Sequence, residues 1–117
     1  MASKQVIDFA SPIMGLDGEF NTFRLGLFYF KRLQAGQVCH LMDSKEKLLL
    51  GTAIVTHVEK GTLEEMLLKY GAHNHAVLNV CEEDRVGTLT QIITRIYGPH
   101  IATPSRKTTV IYLRRLT

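Results

Sequence analysis

Thr22 and Arg24 stand two residues apart in the run Asn21-Thr22-Phe23-Arg24-Leu25-Gly26. A guanidinium is a planar fork of donors that matches a phosphate or the edge of a base, and a threonine hydroxyl beside it can donate or accept. The competing role for Arg24 is an ion pair with Asp17 or Glu19 that pins a loop. Phe20, Phe28, Tyr29 and Phe30 bracket the pair. Such rings usually fill a core, but Phe20, following the loop glycines Gly15 and Gly18, is placed to stack on an unpaired base.

Further cations are expected at the rim of a site built on this pair. Lys31 and Arg32 follow closely in the chain, and Ser105, Arg106 and Lys107 form a loop that can bring amides and cations together on an anion. Arg114 and Arg115 read rather as a solvated charge pattern. His73-Asn74-His75 invites a metal reading, because alternate residues of an extended segment share a face. No cysteine or carboxylate stands at a zinc spacing beside them, so a structural role is favoured and no metal or other cofactor is implied. Cys39 and Cys81 have no neighbouring base to activate them, and Cys39 is expected to point into the core. Walker, dinucleotide and nucleophile-elbow motifs are absent from the sequence.

The elements that must position these groups follow from patterning. Gln5 to Phe9 reads as a strand stopped by Ser11-Pro12, and Phe23 to Leu33 as a short helix from its spacing of Phe23, Leu27, Phe30 and Leu33. Val38 to Asp43 and Leu48 to Val58 are two strands joined through a charged tip at Ser44-Lys47, with Gly51 marking a bulge or bend. Thr62 and Glu65 form a capping box before a helix that Gly71 ends. Ala76 to Val80 reads as a short strand and Glu82 to Arg85 as a loop. Leu89, Ile92, Ile93 and Ile96 mark a helix ending at Gly98-Pro99, and Lys107 to Arg115 a last strand. Closure of that strand onto the early hairpin gives an α+β fold: a barrel of about five or six strands flanked by two or three short helices.

The stretch from Asn21 to Asp43, NTFRLGLFYFKRLQAGQVCHLMD, resembles an ASCH domain of the PUA-like superfamily. The shared grammar is Thr-x-Arg-Leu-Gly, a helical segment, a glycine turn and a strand ending in Asp. The Gly51-Thr52-Ala53-Ile54-Val55 run, the capped helix and the helix ending Ile96-Tyr97-Gly98 also suit the family. The resemblance implies one ASCH/PUA-like domain over residues 1–117, with a cleft beside the Thr-x-Arg loop. It also implies RNA or a modified nucleotide as ligand, Thr22 and Arg24 matching the motif. Some small members are amidohydrolases acting on N4-acetylcytidine, and others have been assigned ribonuclease activity. In this chain the hydrolase-type lysine position falls at Glu19 and the acid position at Thr88. Losing a cation that orients the nucleophile and a carboxylate that shuttles its proton weakens the hydrolase reading. Glu19 and Thr22 remain its catalytic candidates, with Glu19 supplying the carboxylate.

Length and composition bound these readings. At 117 residues, 45% hydrophobic and 21% charged, the chain has room for one ordinary core. A formal charge of +3 is mildly basic and by itself fits nucleic acid weakly. The longest apolar runs fall short of the roughly 18 residues of a membrane helix, and the N-terminal Met1-Ala2-Ser3-Lys4-Gln5 leads into a strand rather than a signal sequence. A cytoplasmic protein with reduced cysteines and no membrane partner is therefore expected. The leading expectation is a binding module for RNA or a modified nucleotide, with hydrolysis second. A protein-interaction module, or homodimer, formed through the apolar face of Leu25 to Phe30 is third.

Overall fold

A computed structural model of the chain describes residues 5–10 and 13–117. The expected stop at Ser11-Pro12 and the residues before Gln5 lie outside them. The described elements are β1 (Gln5–Phe9), β2 (Glu19–Leu25), α1 (Phe28–Arg32), β3 (Val38–Asp43), β4 (Leu49–Thr62), α2 (Leu63–Tyr70), α3 (Arg85–Tyr97) and β5 (Lys107–Arg115). Short 3-10 turns at Gly71–His73, His75–Val77 and Glu82–Asp84 join α2 to α3.

The five strands form one mixed sheet in the order β1-β3-β4-β5-β2, with β1 parallel to β3 and the other pairs antiparallel. The sheet curls, so residues from all five strands meet in one apolar cluster: Ile7 and Phe9, Phe20, Cys39 and Leu41, Ala53 and Val55, Ile111 and Leu113. The result is an α+β half-barrel whose edges are β1 and β2. Cys39 points into it, as expected, and burial pushes its thiol up to about 11. Cys81 is exposed and unpaired with it.

A second cluster covers the outer face of β2 and β5. Phe23 and Val110 meet Leu63, Met66 and Leu67 of α2, and Leu89 and Ile93 of α3. Alternate residues of a strand face opposite sides, so β2 serves both layers. Phe20, Thr22 and Arg24 face the barrel, while Asn21 and Phe23 face the helices.

Local sequence explains most of this. In the β3–β4 hairpin, Asp43 Oδ1 accepts from the amides of Lys45 and Glu46 at 2.9 and 3.1 Å, an Asx turn. The register slips beside Gly51, the expected bulge. Thr62 Oγ1 accepts from Glu65 N–H at 3.2 Å while Glu65 Oε1 accepts from Thr62 N–H at 3.2 Å, the capping box that starts α2.

Two readings are corrected. The expected helix over Phe23–Leu33 is a strand through Leu25 and a helix only over Phe28–Arg32. Pairing with β5, Arg24 opposite Thr109, outweighs the helical spacing, and Gly26 at φ 89° separates the two elements. The expected strand at Ala76–Val80 is a 3-10 turn and coil. Its carbonyls have another partner: Arg85 donates to the carbonyls of Val80, Leu78 and Ala72 at 2.9, 3.0 and 3.0 Å. Among the described residues no helix is long and apolar enough to cross a membrane.

Candidate functional site

The half-barrel is open between its edge strands, and a cavity of about 480 Å³ lies there. That volume is in the range of about 300–1,000 Å³ typical of small-molecule sites. Phe9 and Ala10 line it from one edge, Thr22, Phe23 and Arg24 from the other, and Asn74, His75 and Ala76 from the segment alongside. Leu89, Ile93 and other apolar residues of α3 form the remaining wall, with Arg95 also lining it. The free edge of β2 is partly engaged by a parallel bridge between Asn21 and Asn74.

Arg24 is held in place by its surroundings rather than by a carboxylate. Its Nε donates to Thr22 Oγ1 at 3.3 Å, and its guanidinium lies 4.9 Å from the ring centroid of Phe9 and 5.7 Å from that of Tyr29. Among the described residues it has no acidic partner within 4 Å: Asp17 pairs instead with Arg115 at 3.8 Å, and Glu19 pairs with no cation. Burial pushes the guanidinium below its ordinary value, and the phenols of Tyr29 and Tyr97 and the carboxyl of Asp8 offset that only in part.

His75 packs edge-on against Phe9 at 5.1 Å and Phe20 at 6.1 Å, and its Nδ1 lies 3.1 Å from the carbonyl oxygen of Met14. Burial, and secondarily the charge of Arg24, push the imidazole down to about 4 against the Met14 hydrogen bond, so it is neutral near pH 7. The backbone approach is close: a Cβ at Gly15, where φ is 70°, would lie 2.0 Å from the His75 carbonyl oxygen.

Several expected site residues lie elsewhere. Phe20 is 1% exposed and packs within the barrel, so it is not an exposed loop ring available for stacking. Asn21 faces the helices, where its Nδ2 donates to the Tyr70 carbonyl at 2.8 Å. Glu19 is exposed and paired in register with Arg114, on the opposite face of β2 from Thr22, and cannot reach over to it. Lys31, Arg32, Ser105, Arg106 and Lys107 are exposed, and none of them lines the cavity. Arg32 instead covers the ring of Phe28 at 3.8 Å. Within the apolar face from Leu25 to Phe30, only Phe28 is exposed, at 57%, and the rest are half-buried.

The two histidines diverge. His73 Nδ1 lies 3.0 Å from the Tyr112 hydroxyl on the outer face, while His75 lines the cavity. The 3-10 turns on either side of Asn74 break the alternation that an extended segment would have. Among the described residues no group of three His, Cys, Asp or Glu side chains could hold a metal ion. Arg115, read as solvated, donates to the carbonyls of Thr117, Leu16 and Leu50.

Chemically, the cavity offers two cations, Arg24 and the exposed Arg95, a neutral imidazole, a hydroxyl already engaged by Arg24, and apolar walls. Among the described residues no lysine, aspartate or glutamate lines it. Thr22 is 2% exposed, with no general base on its Oγ1. This arrangement suits holding a ligand better than attacking one. Sequence reasoning missed His75 and Arg95 as lining groups. The signal for His75 was its motif with His73, which was assigned to a different chemistry.

No family model matches the chain, and no curated protein matches it. Among solved structures, it is similar to a crystal structure of an Enterococcus faecalis protein assigned to the DUF984 family model, with a TM-score of 0.56 and 12% sequence identity. The likeness covers 85% of this chain and 61% of that protein, so this chain spans less than two thirds of its length. At that identity the likeness establishes the fold.

Proposed function

We propose that the protein is a PUA-like binding module that takes one nucleotide-sized unit, a modified nucleotide or an unpaired base of RNA, into the cavity between β1, β2 and α3. The observation that carries this reading is Arg24. Arg24 is half-buried, and a guanidinium partly withdrawn from water costs free energy unless something neutralises it; among the described residues no carboxylate does so within 4 Å. A bound phosphate or base edge would supply the missing partner. The half-barrel, whose fold is shared with the DUF984 protein, is consistent with a small PUA-like barrel and so supports the resemblance of the Asn21–Asp43 segment to an ASCH domain. The cavity's size favours a single nucleotide over an extended strand. Lys31, Arg32, Arg106 and Lys107 do not line the cavity, which favours local recognition over tracking of a phosphate backbone.

The test is equilibrium binding of protein stripped of copurifying nucleic acid, titrated with nucleoside monophosphates and with short single-stranded RNA. The expected result is one site per chain, saturable by mononucleotides and weakened by Arg24→Met. Absence of binding to either class sinks the reading. Binding to RNA alone, unaffected by Arg24→Met, moves recognition to the outer surface.

A further inference from the structure

Nδ1 of His75 lies 3.1 Å from the carbonyl oxygen of Met14. A carbonyl only accepts, so Nδ1 carries the ring proton, and in the neutral ring Nε2 is left as a bare lone pair. Nε2 has no hydrogen-bond partner among the described residues. Nor is it sealed from solvent: among the described residues the sealed, partnerless side-chain polar atoms are Asn21 Oδ1 and His40 Nδ1. Because the ring lines the cavity, that lone pair is open to a ligand. Both Arg24 and His75 pack on the ring of Phe9, at 4.9 and 5.1 Å, so one ligand can meet both.

The two groups are opposite in hydrogen-bonding sense: Arg24 only donates, and His75 Nε2 only accepts. We propose that His75 is the specificity-determining residue of the cavity, selecting bases that carry an exocyclic amino group beside the ring-nitrogen acceptor that Arg24 holds. This rests on the nucleotide reading and adds the class of base. Exchanging the amino group for a carbonyl also turns the adjoining ring nitrogen from acceptor into N–H donor, so lone pair meets lone pair at His75 and donor meets donor at Arg24, and unpaired polar groups in a binding site are what discriminate strongly between close analogues. The ring's packing against Phe9 and Phe20 and the Met14 bond fix the tautomer, so the preference is built into the free protein.

The test uses adenosine and inosine monophosphates, and cytidine and uridine monophosphates, two pairs in which an amino group is exchanged for a carbonyl. Wild-type protein is expected to favour the amino member of at least one pair by about tenfold or more. His75→Phe keeps a ring but has no acceptor. His75→Asn keeps a donor for the Met14 carbonyl but has no atom at the Nε2 position. Both are expected to lose the preference while still binding, and a thermal melt identifies either variant if it fails to fold. Equal binding within both pairs by the wild type, with binding still lost in Arg24→Met, overturns the role of His75 and leaves the nucleotide reading standing. A preference that persists in a folded variant also overturns it. Failure of all four nucleotides to bind overturns the nucleotide reading and this inference together.

Discussion

The guanidinium of Arg24, on edge strand β2, lies 4.9 Å from the ring centroid of Phe9, on the opposite edge strand β1. The contact therefore spans the gap that the half-barrel leaves between its edges. It places the cation where a ligand can enter without breaking a sheet hydrogen bond. It also gives Arg24 two possible contributions, to stability and to binding, which substitution can separate.

Arg24→Met keeps much of the stem and removes the charge. The charge gains roughly 1–2 kcal/mol from the rings of Phe9 and Tyr29 and about 1 kcal/mol from the bond to Thr22. Against this stands a desolvation penalty of several kcal/mol for a cation without a counter-ion. The variant is expected to be as stable as wild type or more stable by about 1 kcal/mol in urea unfolding, and to lose at least about tenfold in nucleotide affinity. A marked loss of stability would make Arg24 a structural residue.

His75 makes stability depend on acidity. Its folded value, about 4, lies below the ordinary 6.5, so between these values the unfolded chain binds a proton that the folded chain does not. Stability from this residue is therefore full above pH 6.5, falls as the pH drops toward about 4, and does not change further below that. The groups around the ring are Phe9, Phe20, the Met14 carbonyl and the charge of Arg24, none of which supplies a carboxylate. The loss across this window is on the order of 3 kcal/mol. It is measured as the difference between wild type and His75→Phe in urea unfolding at several pH values, with the gap shifting toward the variant as pH falls.

Gly15 and Gly18 share a φ of 70° but differ in surroundings. A Cβ at Gly15 meets the His75 carbonyl oxygen at 2.0 Å, whereas at Gly18 nothing lies within 4 Å. Gly18→Ala is expected to cost about 1–2 kcal/mol for the backbone conformation alone. Gly15→Ala adds a clash, costing roughly 1–3 kcal/mol more, and should weaken nucleotide binding by displacing His75. Paired denaturation and binding measurements on the two variants separate these effects.

Arg85→Ala removes the donor to three carbonyls in the segment that carries His75. The expected cost is about 1–3 kcal/mol, since those groups are left to water or unpaired. Hydrogen exchange should quicken over Ala72 to Val80 while the β4–β5 amides keep their protection. Uniform loosening of the whole chain would contradict this division of labour.

Much of the fold was legible because it rests on local chemistry. The Thr62–Glu65 box, the charged hairpin tip at Ser44–Lys47, the bulge at Gly51 and the β-branched run of β5 each declare themselves within a few residues. β2 was not legible, for a physical reason. It is packed on one side by the barrel and on the other by helices, so Phe20, Asn21, Thr22 and Phe23 are all buried and the alternation that marks a strand is erased. Its partner, β5, lies more than eighty residues away in the chain. Thr22 and Arg24, singled out by their chemistry and by the Thr-x-Arg resemblance without any knowledge of the strand, both line the cavity. Glu19 and Asn21 lie outside the cavity because the strand's pleat, invisible without β2, turns Glu19 away from Thr22 and Asn21 toward the Tyr70 carbonyl. Arg95 is a lone cation on an amphipathic helix and gives no signal until α3 is placed against the cavity.

The most direct test is an amide chemical-shift titration of the full chain with a nucleoside monophosphate. The prediction is saturable shifts confined to Phe9 and Ala10, Thr22 to Arg24, Asn74 to Ala76 and the cavity face of α3 from Leu89 to Tyr97, all abolished by Arg24→Met. Shifts gathered instead on Lys31, Arg32, Arg106 and Lys107, or no shifts at millimolar nucleotide, would contradict it.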